Sequence, residues 1–158
     1  MRYLKKPWEI GQHSHSIKQL DKALLDTDIV SEIFRGINQR VIAKATAYRA
    51  VFGCYTISAI TVMEVVQGWH KRQREDRVQE FLATLTTEEV LMLELHDAVL
   101  AGRIYADLER VGQPIGYPDS MIAAIALQRD LTLVTGNLSH YQRIQALGYP
   151  LRLDNWRT

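Results

Sequence analysis

The stretch that decides the fold lies at residues 23–28 and reads ALLDTD, a short apolar run that ends in carboxylates. Three later segments share this design, because each joins an apolar run to a polar or acidic residue: YTISAITVME at 55–64, PDSMIAA at 118–124 and LTLVTGN at 131–137. In a parallel sheet the carboxyl ends of the strands share one edge, so residues far apart in sequence can meet in one crevice. The four segments therefore predict a single site at the edge of a parallel sheet.

Strand and helix patterns alternate from Ala23 onward, which is typical of βαβ units. The sequence predicts strands at residues 23–27, 54–57, 90–93, 131–135 and 151–153. Helices are predicted at residues 29–35, 39–51, 59–71, 76–85, 96–111 and 119–129, with Ser58 as the N-cap of the third. The predicted fold is an α/β protein with a central parallel sheet.

The composition is that of one soluble domain. Of the 158 residues, 47% are hydrophobic, which is enough for one core covered by helices. Lys and Arg number 19 and Asp and Glu 18, so composition alone gives no sign of a nucleic-acid binder. No apolar run is long enough to span a membrane, and the N-terminus has no signal-peptide core. We therefore expect a cytoplasmic protein, in agreement with Cys54 being the only cysteine.

Residues 1–22 differ from the rest of the chain because they show no sustained periodicity. We expect an N-terminal arm there, followed by one domain at residues 23–158. His13 and His15 lie in this arm, and histidines in a polar terminal segment are more often solvated than bound to metal.

The residues singled out at the predicted sheet edge are Asp26, Glu64, Asp119 and Asn137. Carboxylates gathered at one edge repel each other and favour a cation, and Mg²⁺ or Mn²⁺ prefers such hard oxygen ligands. These ions position and polarise phosphates, so the set predicts metal-assisted phosphodiester chemistry.

Each of these residues also has a purely structural interpretation. Asp26 and Asp119 stand where a helix is predicted to begin and are typical N-caps. Glu64 lies off the apolar stripe of its helix, where a solvent-facing Glu is common. Asn137 follows Gly136 in a turn, which also favours Asn. Four polar side chains at the same sheet edge favour a functional site over four separate structural explanations.

Basic residues cluster after the second segment, as Lys71, Arg72, Arg74 and Arg77. Such a run is usually solvated, although here it could also follow a phosphate backbone. Trp69 and Trp156 could stack on bases, but Trp69 lies on an apolar stripe, so we expect it in the core or an interface.

The four segments resemble the four motifs of PIN-domain ribonucleases, specifically VapC-type toxins, and they occur in the family's order. The resemblance runs from residue 23 to residue 156. It implies a three-layer α/β/α sandwich around a parallel sheet of four to five strands. It also implies Mg²⁺- or Mn²⁺-dependent cleavage of RNA, a homodimer, and neutralisation by a small VapB-like antitoxin.

On this resemblance, Asp26, Glu64 and Asp119 take the positions of the three acids that hold the metal. Thr135 and Asn137 occupy the fourth motif, where many members carry a second Asp. An amide at this position leaves open whether one or two metal ions bind. The implied mechanism is attack on a phosphodiester by a metal-activated water.

Two other functions stay open on the sequence. Residues 26–28 are similar to the Asp-x-Asp nucleophile loop of haloacid-dehalogenase-type phosphatases, but that class needs a later lysine, and none follows Lys71. The second alternative is a PIN-like module that binds RNA or protein without catalysis, in which Asn137 marks a degraded site. The three remaining acids favour the enzyme.

Overall fold

Five short parallel strands form the centre of the computed structural model, which describes residues 20–158. The strands are β1 (Ala23–Leu25), β2 (Thr56–Ser58), β3 (Glu89–Leu91), β4 (Thr132–Val134) and β5 (Leu153–Asp154). Parallel ladders join β1 to β4, β4 to β5 and β2 to β3, and β1 packs beside β2. Within residues 20–158 these ladders form a three-stranded sheet, β1-β4-β5, and a two-stranded sheet, β2-β3. The packing of β1 beside β2 sets the two sheets side by side in the order 3-2-1-4-5, which reverses direction between β1 and β4.

Helices connect these strands. They are α1 (Thr27–Arg35), α2 (Gln39–Phe52), α3 (Ala59–Lys71), α4 (Glu75–Thr84), α5 (Leu95–Arg110), α6 (Tyr117–Gln128) and α7 (Leu138–Ala146), with a 3₁₀ turn at Leu85–Thr87. Asp26, Asn38 and Ser58 cap α1, α2 and α3, because each side-chain oxygen accepts a backbone N–H of the first turn. Asp26 directly follows β1, and Ser58 is the last residue of β2. Helices α1 and α3 therefore begin at the same sheet edge.

Side chains of the sheet alternate between two apolar cores, one on each face. Leu24 belongs to the core formed with α5, α6 and α7, whereas its neighbour Leu25 belongs to the core formed with α1, α2 and α4. Leu133 and Val134 divide in the same way on β4. Because consecutive strand residues point to opposite faces, helices must cover both sides of the sheet. The predicted α/β/α sandwich with a parallel sheet of four to five strands is confirmed.

Two local expectations are wrong. The sequence predicts no helix after β4, yet α7 forms there and buries Tyr141 and Ile144. The predicted N-cap role of Asp119 also fails, because Gly116 is the N-cap of α6 and Asp119 lies within the first turn. Pro118 is tolerated in that turn because the N–H that it lacks would have no partner in the helix.

The expected arm at residues 1–22 lies almost entirely outside the described residues, as do His13 and His15, so its separation from a domain at 23–158 stays a prediction. Residues 20–22 lead irregularly into β1. Over residues 20–158, no helix is both long enough and apolar enough to cross a membrane.

Candidate active site

The site forms where β1 and β4 end side by side. Asp26 directly follows β1, and its backbone N–H donates to the Val134 carbonyl oxygen over 2.9 Å. Thr135 directly follows β4, and its hydroxyl donates to Asp26 Oδ2 over 2.8 Å. In open α/β sheets, ligands bind outside the carboxyl ends of the strands at the point where strand order reverses. The sheet edge expected from the sequence therefore coincides with the crevice that the topology favours.

Asp26 is a buried carboxylate whose hydrogen-bond donors within residues 20–158 are neutral. The residue is 6% exposed, and its Oδ1 accepts the backbone N–H of Thr27 over 2.8 Å. Burial raises the pKa of Asp26 to about 7; repulsion from Asp28 and Asp119 adds to this, while hydrogen bonds from Thr135 and Thr27 oppose it. The charged form is therefore short of compensation, which a bound cation would supply.

Glu64 turns toward α1 instead of facing solvent as an ordinary surface residue. Thr27 Oγ1 donates to Glu64 Oε1 over 2.7 Å and also lies 3.0 Å from Thr61 Oγ1. Burial raises the pKa of Glu64, the hydrogen bond from Thr27 lowers it, and repulsion from Asp119 and Asp28 raises it further. Thr27 therefore joins Glu64 to the end of β1, as expected for a Glu in the first turns of α3.

Asp119 reaches the same edge from α6. Its Oδ2 lies 2.9 Å from His140 Nδ1, and its Oδ1 accepts the Tyr141 hydroxyl over 3.2 Å. Burial and the nearby charges of Asp26 and Asp119 raise the pKa of Tyr141 well above its ordinary value, so Tyr141 stays a hydroxyl donor. Both Asp119 oxygens are thus oriented by α7, the helix that the sequence did not predict.

Asn137 meets Asp119 only through His140. The Asn137 side-chain amide lies 2.9 Å from His140 Nδ1, the same ring nitrogen that contacts Asp119. Nδ1 of a neutral imidazole either donates or accepts a hydrogen bond. When Nδ1 donates to Asp119, it cannot also accept from the Asn137 amide nitrogen, so the two hydrogen bonds are alternatives. Sequence reasoning missed His140, although its position three residues after Asn137 would place both on one face of a helix had α7 been recognised.

Asp28 serves a different purpose from the other acids. Its Oδ1 accepts the Ile29 N–H over 2.8 Å and its Oδ2 accepts the Gly136 N–H over 2.9 Å. Arg157 lies 3.4 Å from Asp28 Oδ2 and donates to Glu32 Oε1 over 2.6 Å. Burial raises the pKa of Asp28, whereas the Gly136 N–H and Arg157 lower it. Asp28 therefore holds the β4–α7 loop against α1 and already has a cationic partner.

The C-terminal segment that supplies Arg157 is anchored by Trp156. Trp156 is buried, with its ring centroid 5.6 Å from that of Tyr48. The suggestion that Trp156 stacks on nucleic-acid bases is therefore wrong, because its ring lies in the core.

Gly136→Ala is expected to destabilise the protein. A Cβ at this position would clash with the Arg157 guanidinium and lie 2.8 Å from Asp28 Oδ2. The Arg157 side chain can move away, so the cost is that of its ion pairs with Asp28 and Glu32, about 1 kcal/mol, which urea unfolding would measure. Gly102→Ala is the matched control, because no neighbouring atom of residues 20–158 would lie within 4 Å of the added methyl group and alanine favours a helix. Equal unfolding free energies for Gly136→Ala and the wild type would show that the Arg157 side chain moves away without loss of stability.

The oxygen donors of Asp26, Glu64 and Asp119 fit a hard divalent cation. Asp119 raises the pKa of both other acids by repulsion, so the three share one electrostatic environment. Within residues 20–158, no three His, Cys, Asp or Glu side chains already converge as a metal-holding group. The ligand types are those that Mg²⁺ or Mn²⁺ prefers, but in this structure Asp26 and Asp119 direct their oxygens to hydrogen-bonding partners of the protein.

Comparison with known proteins agrees with this fold. Residues 23–145 match the family described as the PIN domain, and this match covers most of the chain. The chain therefore belongs to the PIN-domain family.

Comparison with individual proteins shows which members of the PIN-domain family the chain resembles. The tRNA(fMet)-specific endonuclease VapC of Salmonella typhimurium is 38% identical over 63% of this chain and 74% of its own length. Ribonuclease VapC2 of Haemophilus influenzae is 33% identical over 85% of this chain and 98% of its own length. A structure of DNA-bound VapBC from Salmonella typhimurium superposes with a TM-score of 0.71 at 29% identity, covering 87% of this chain and 99% of that chain. Within the PIN-domain family, the protein groups with the VapC-type ribonucleases.

Proposed function

We propose that the protein is the toxin of a toxin–antitoxin pair and cleaves RNA internally with the help of Mg²⁺ or Mn²⁺. The observation that carries the metal-dependent part is a connected network at the ends of β1 and β4. Thr27 links Asp26 to Glu64, and Thr135 bonds both Asp26 and the backbone of Asn137. His140 then links Asn137 to Asp119. The three acids are thus tied together although they come from distant parts of the sequence.

Asp26, Glu64 and Asp119 would hold the ion. The chemistry that such an ion supplies is a lowered pKa for bound water and neutralisation of charge on the phosphate oxygens. Thr27 and Thr135 orient Asp26, and Thr27 also orients Glu64. Because these donors are neutral, they fix the carboxylates without cancelling the charge that attracts a cation.

Orientation of Asp119 depends on α7. His140 and Tyr141 contact its two oxygens, one each. Tyr141 is buried and holds its proton, so it acts as a permanent donor, whereas His140 is partly exposed at the crevice. Asp119 is therefore held from the buried side by Tyr141 and from the exposed side by His140.

A phosphatase mechanism with Asp26 as the nucleophile is not supported. That class needs a later lysine near the nucleophile, and none follows Lys71 in the sequence. The match of residues 23–145 to the PIN domain favours the nuclease instead.

The names of the relatives suggest a substrate and a partner. Relatives from Salmonella typhimurium and Shigella flexneri are named tRNA(fMet)-specific endonucleases, so initiator tRNA is the first substrate to test. Solved relatives are VapBC complexes, which supports a VapB-type antitoxin as the partner. We further propose a homodimer that acts in the cytoplasm, where its RNA substrates are found.

The test is incubation of the purified protein with total cellular RNA and with tRNA(fMet), in Mn²⁺, in Mg²⁺ or in EDTA, followed by end-mapping. The expected result is cleavage at discrete sites that EDTA abolishes and added Mn²⁺ restores. RNA binding without cleavage in either metal would instead favour a non-catalytic PIN-like module. Cleavage that persists in EDTA would overturn the metal dependence and leave the proposed ribonuclease activity in place.

Asn137→Asp is expected to tighten Mn²⁺ binding by roughly tenfold, or about 1.4 kcal/mol. The added carboxylate would join Asp119 on the His140 side of the site and increase its attraction for a cation. Calorimetric titration measures this directly. Asn38→Asp, which adds the same charge at the N-cap of α2, is the control and should leave Mn²⁺ affinity unchanged. Unchanged affinity in Asn137→Asp would place residue 137 outside the coordination sphere.

A further inference from the structure

A cavity of about 100 Å³ opens beside Glu64, between α1 and α3. Thr27 and Glu64 are among its lining residues, so it borders the proposed active site. Its apolar wall comes from Val30, Phe34, Val65 and Phe81, and its remaining lining from Ser31, Arg35, Gly68, Trp69 and Arg72. Among the described residues that line it, Glu64 is the only acid, whereas two are arginines.

The arginines of this region divide into paired and unpaired groups. Arg74 makes a bidentate contact with Asp76, at 2.9 and 2.8 Å, and Arg77 donates to Glu80 over 3.1 Å. Within residues 20–158, Arg35 and Arg72 have no carboxylate within ion-pair distance. Within residues 20–158, Arg74 and Arg77 of the basic cluster are therefore paired, whereas Lys71 and Arg72 are not, and of these two only Arg72 lines the cavity.

Arg72 is also held in place. Its guanidinium lies over the Trp69 ring, 5.6 Å from the ring centroid. A cation held over an aromatic face keeps its charge and loses less side-chain freedom when it binds an anion. Trp69 itself packs against the core formed with α1 and α2, so this platform is fixed to the domain.

We propose that this cavity, which we call the α1–α3 subsite, binds the phosphate group next to the scissile phosphate of the RNA, with Arg35 and Arg72 contacting its oxygens. This inference rests on the proposed ribonuclease function. A strand whose scissile phosphate lies at Asp26, Glu64 and Asp119 must place neighbouring phosphates along a wall of the site. The α1–α3 wall carries two cations without carboxylate partners in residues 20–158, and phosphate is the anion that repeats along an RNA strand.

The experiment measures RNA binding separately from cleavage. Fluorescence anisotropy with a short single-stranded RNA that contains the mapped cleavage site would give Kd as a function of salt for the cleavage-deficient Asp119→Asn protein. In that background, Arg72→Gln is compared with Arg74→Gln, which removes an equal charge two residues away on the same surface. Arg35→Gln combined with Arg72→Gln tests both contacts together.

Loss of one phosphate contact should reduce the slope of log Kd against log salt by about 0.7 for single-stranded RNA. We expect this reduction for Arg72→Gln, about twice as much for the double variant, and none for Arg74→Gln. In proteins with Asp119 intact, the double variant should raise KM by roughly tenfold while kcat at saturating RNA changes less than about twofold, since the contacts position a phosphate away from the reacting one.

Equal effects of Arg72→Gln and Arg74→Gln would overturn the α1–α3 subsite and indicate general electrostatic attraction. An unchanged Kd for RNA together with weakened binding of a VapB-type antitoxin would also overturn it, in favour of a protein-binding role. If the wild-type protein bound RNA but never cleaved it, this result would count against the proposed ribonuclease function. The slope of log Kd against log salt would still decide whether the α1–α3 subsite contacts phosphate. Gly68→Leu provides a charge-neutral check: among residues 20–158 Gly68 has open space around it on α3, so a leucine there should fill the cavity and raise KM without disturbing the fold.

Discussion

Asp26→Asn, Glu64→Gln and Asp119→Asn are each expected to lower kcat/KM for RNA cleavage by at least about a hundredfold, or roughly 2.7 kcal/mol of transition-state stabilisation. Each substitution removes one negative charge from the proposed metal site and changes side-chain volume very little. The hydrogen bonds at these positions come from neutral groups or from His140, and an amide can replace most of them. The proteins should therefore fold while losing activity at saturating Mn²⁺.

Steady-state cleavage of the mapped RNA at saturating Mn²⁺ would measure this loss, with circular dichroism to establish folding. Glu109→Gln is a suitable control because it removes one carboxylate from the exposed face of α5, away from the sheet edge. A folded variant that retains near wild-type kcat/KM would remove its residue from the catalytic set, and the other two assignments would then need a different third ligand.

The parts of the site that the sequence predicts are those encoded by local patterns. Asp26 stands directly after an apolar run and before a helix, so its place at a strand end follows from nearby residues alone. Ser58 signals the start of α3, and this fixes Glu64 in the second turn of that helix. Because the strands are parallel, both positions must lie at the same sheet edge. The topology therefore brings together residues that no local pattern connects.

The missed parts depend on contacts between distant segments or on weak periodicity. Helix α7 is nine residues long and buries only Tyr141 and Ile144, which is too short an apolar pattern to distinguish from a polar turn. His140 was missed with it. Arg157 belongs to the end of the chain, and nothing near it in sequence indicates that it will pack over Gly136 and pair with Asp28.

Hydrogen bonding inside the site could not be predicted either. The sequence suggests carboxylates that face one another across an open cation site. In the structure, Asp26 and Asp119 instead accept bonds from threonine, histidine and tyrosine side chains. Repulsion from Asp119 contributes to the raised pKa values of Asp26 and Glu64. Such satisfaction of buried polar groups depends on the exact placement of every neighbour.

The largest expected effect on stability comes from Asp26. In the metal-free protein, the free energy of unfolding should fall as the pH rises from about 4 to about 7, because the pKa of Asp26 is about 7 in the folded protein against an ordinary value of 3.8. Between these values the folded protein keeps a proton that the unfolded chain has released. Stability from such a raised pKa is fully present below the unfolded pKa and is lost as pH rises through the folded one. For Asp26 alone the loss is roughly 4 kcal/mol.

Neighbouring acids should act in the same direction. Burial also raises the pKa values of Asp28 and Glu64, so both favour the folded protein at low pH. Asp76 behaves in the opposite way, because its hydrogen bond with Arg74 lowers its pKa to about 2. The stability that Asp76 contributes is lost only at pH values below the range in which Asp26 acts. It therefore does not mask the expected fall in the free energy of unfolding with rising pH.

Asp26→Asn should therefore separate stability from activity. Without metal at about pH 8, the variant should be more stable than the wild type, because it removes a buried charge whose hydrogen-bond donors in residues 20–158 are all neutral. Mg²⁺ should stabilise the wild type at this pH by binding only the folded acids, by about 2.7 kcal/mol at a hundred times its Kd. The variant should show a flatter pH dependence and a smaller Mg²⁺ response. Urea unfolding of both proteins between about pH 4 and about pH 8, with and without Mg²⁺, measures each quantity. If the two proteins depended identically on pH and Mg²⁺, Asp26 would be neither a proton-holding group of the folded state nor a metal ligand, and the loss of cleavage in Asp26→Asn would need another cause.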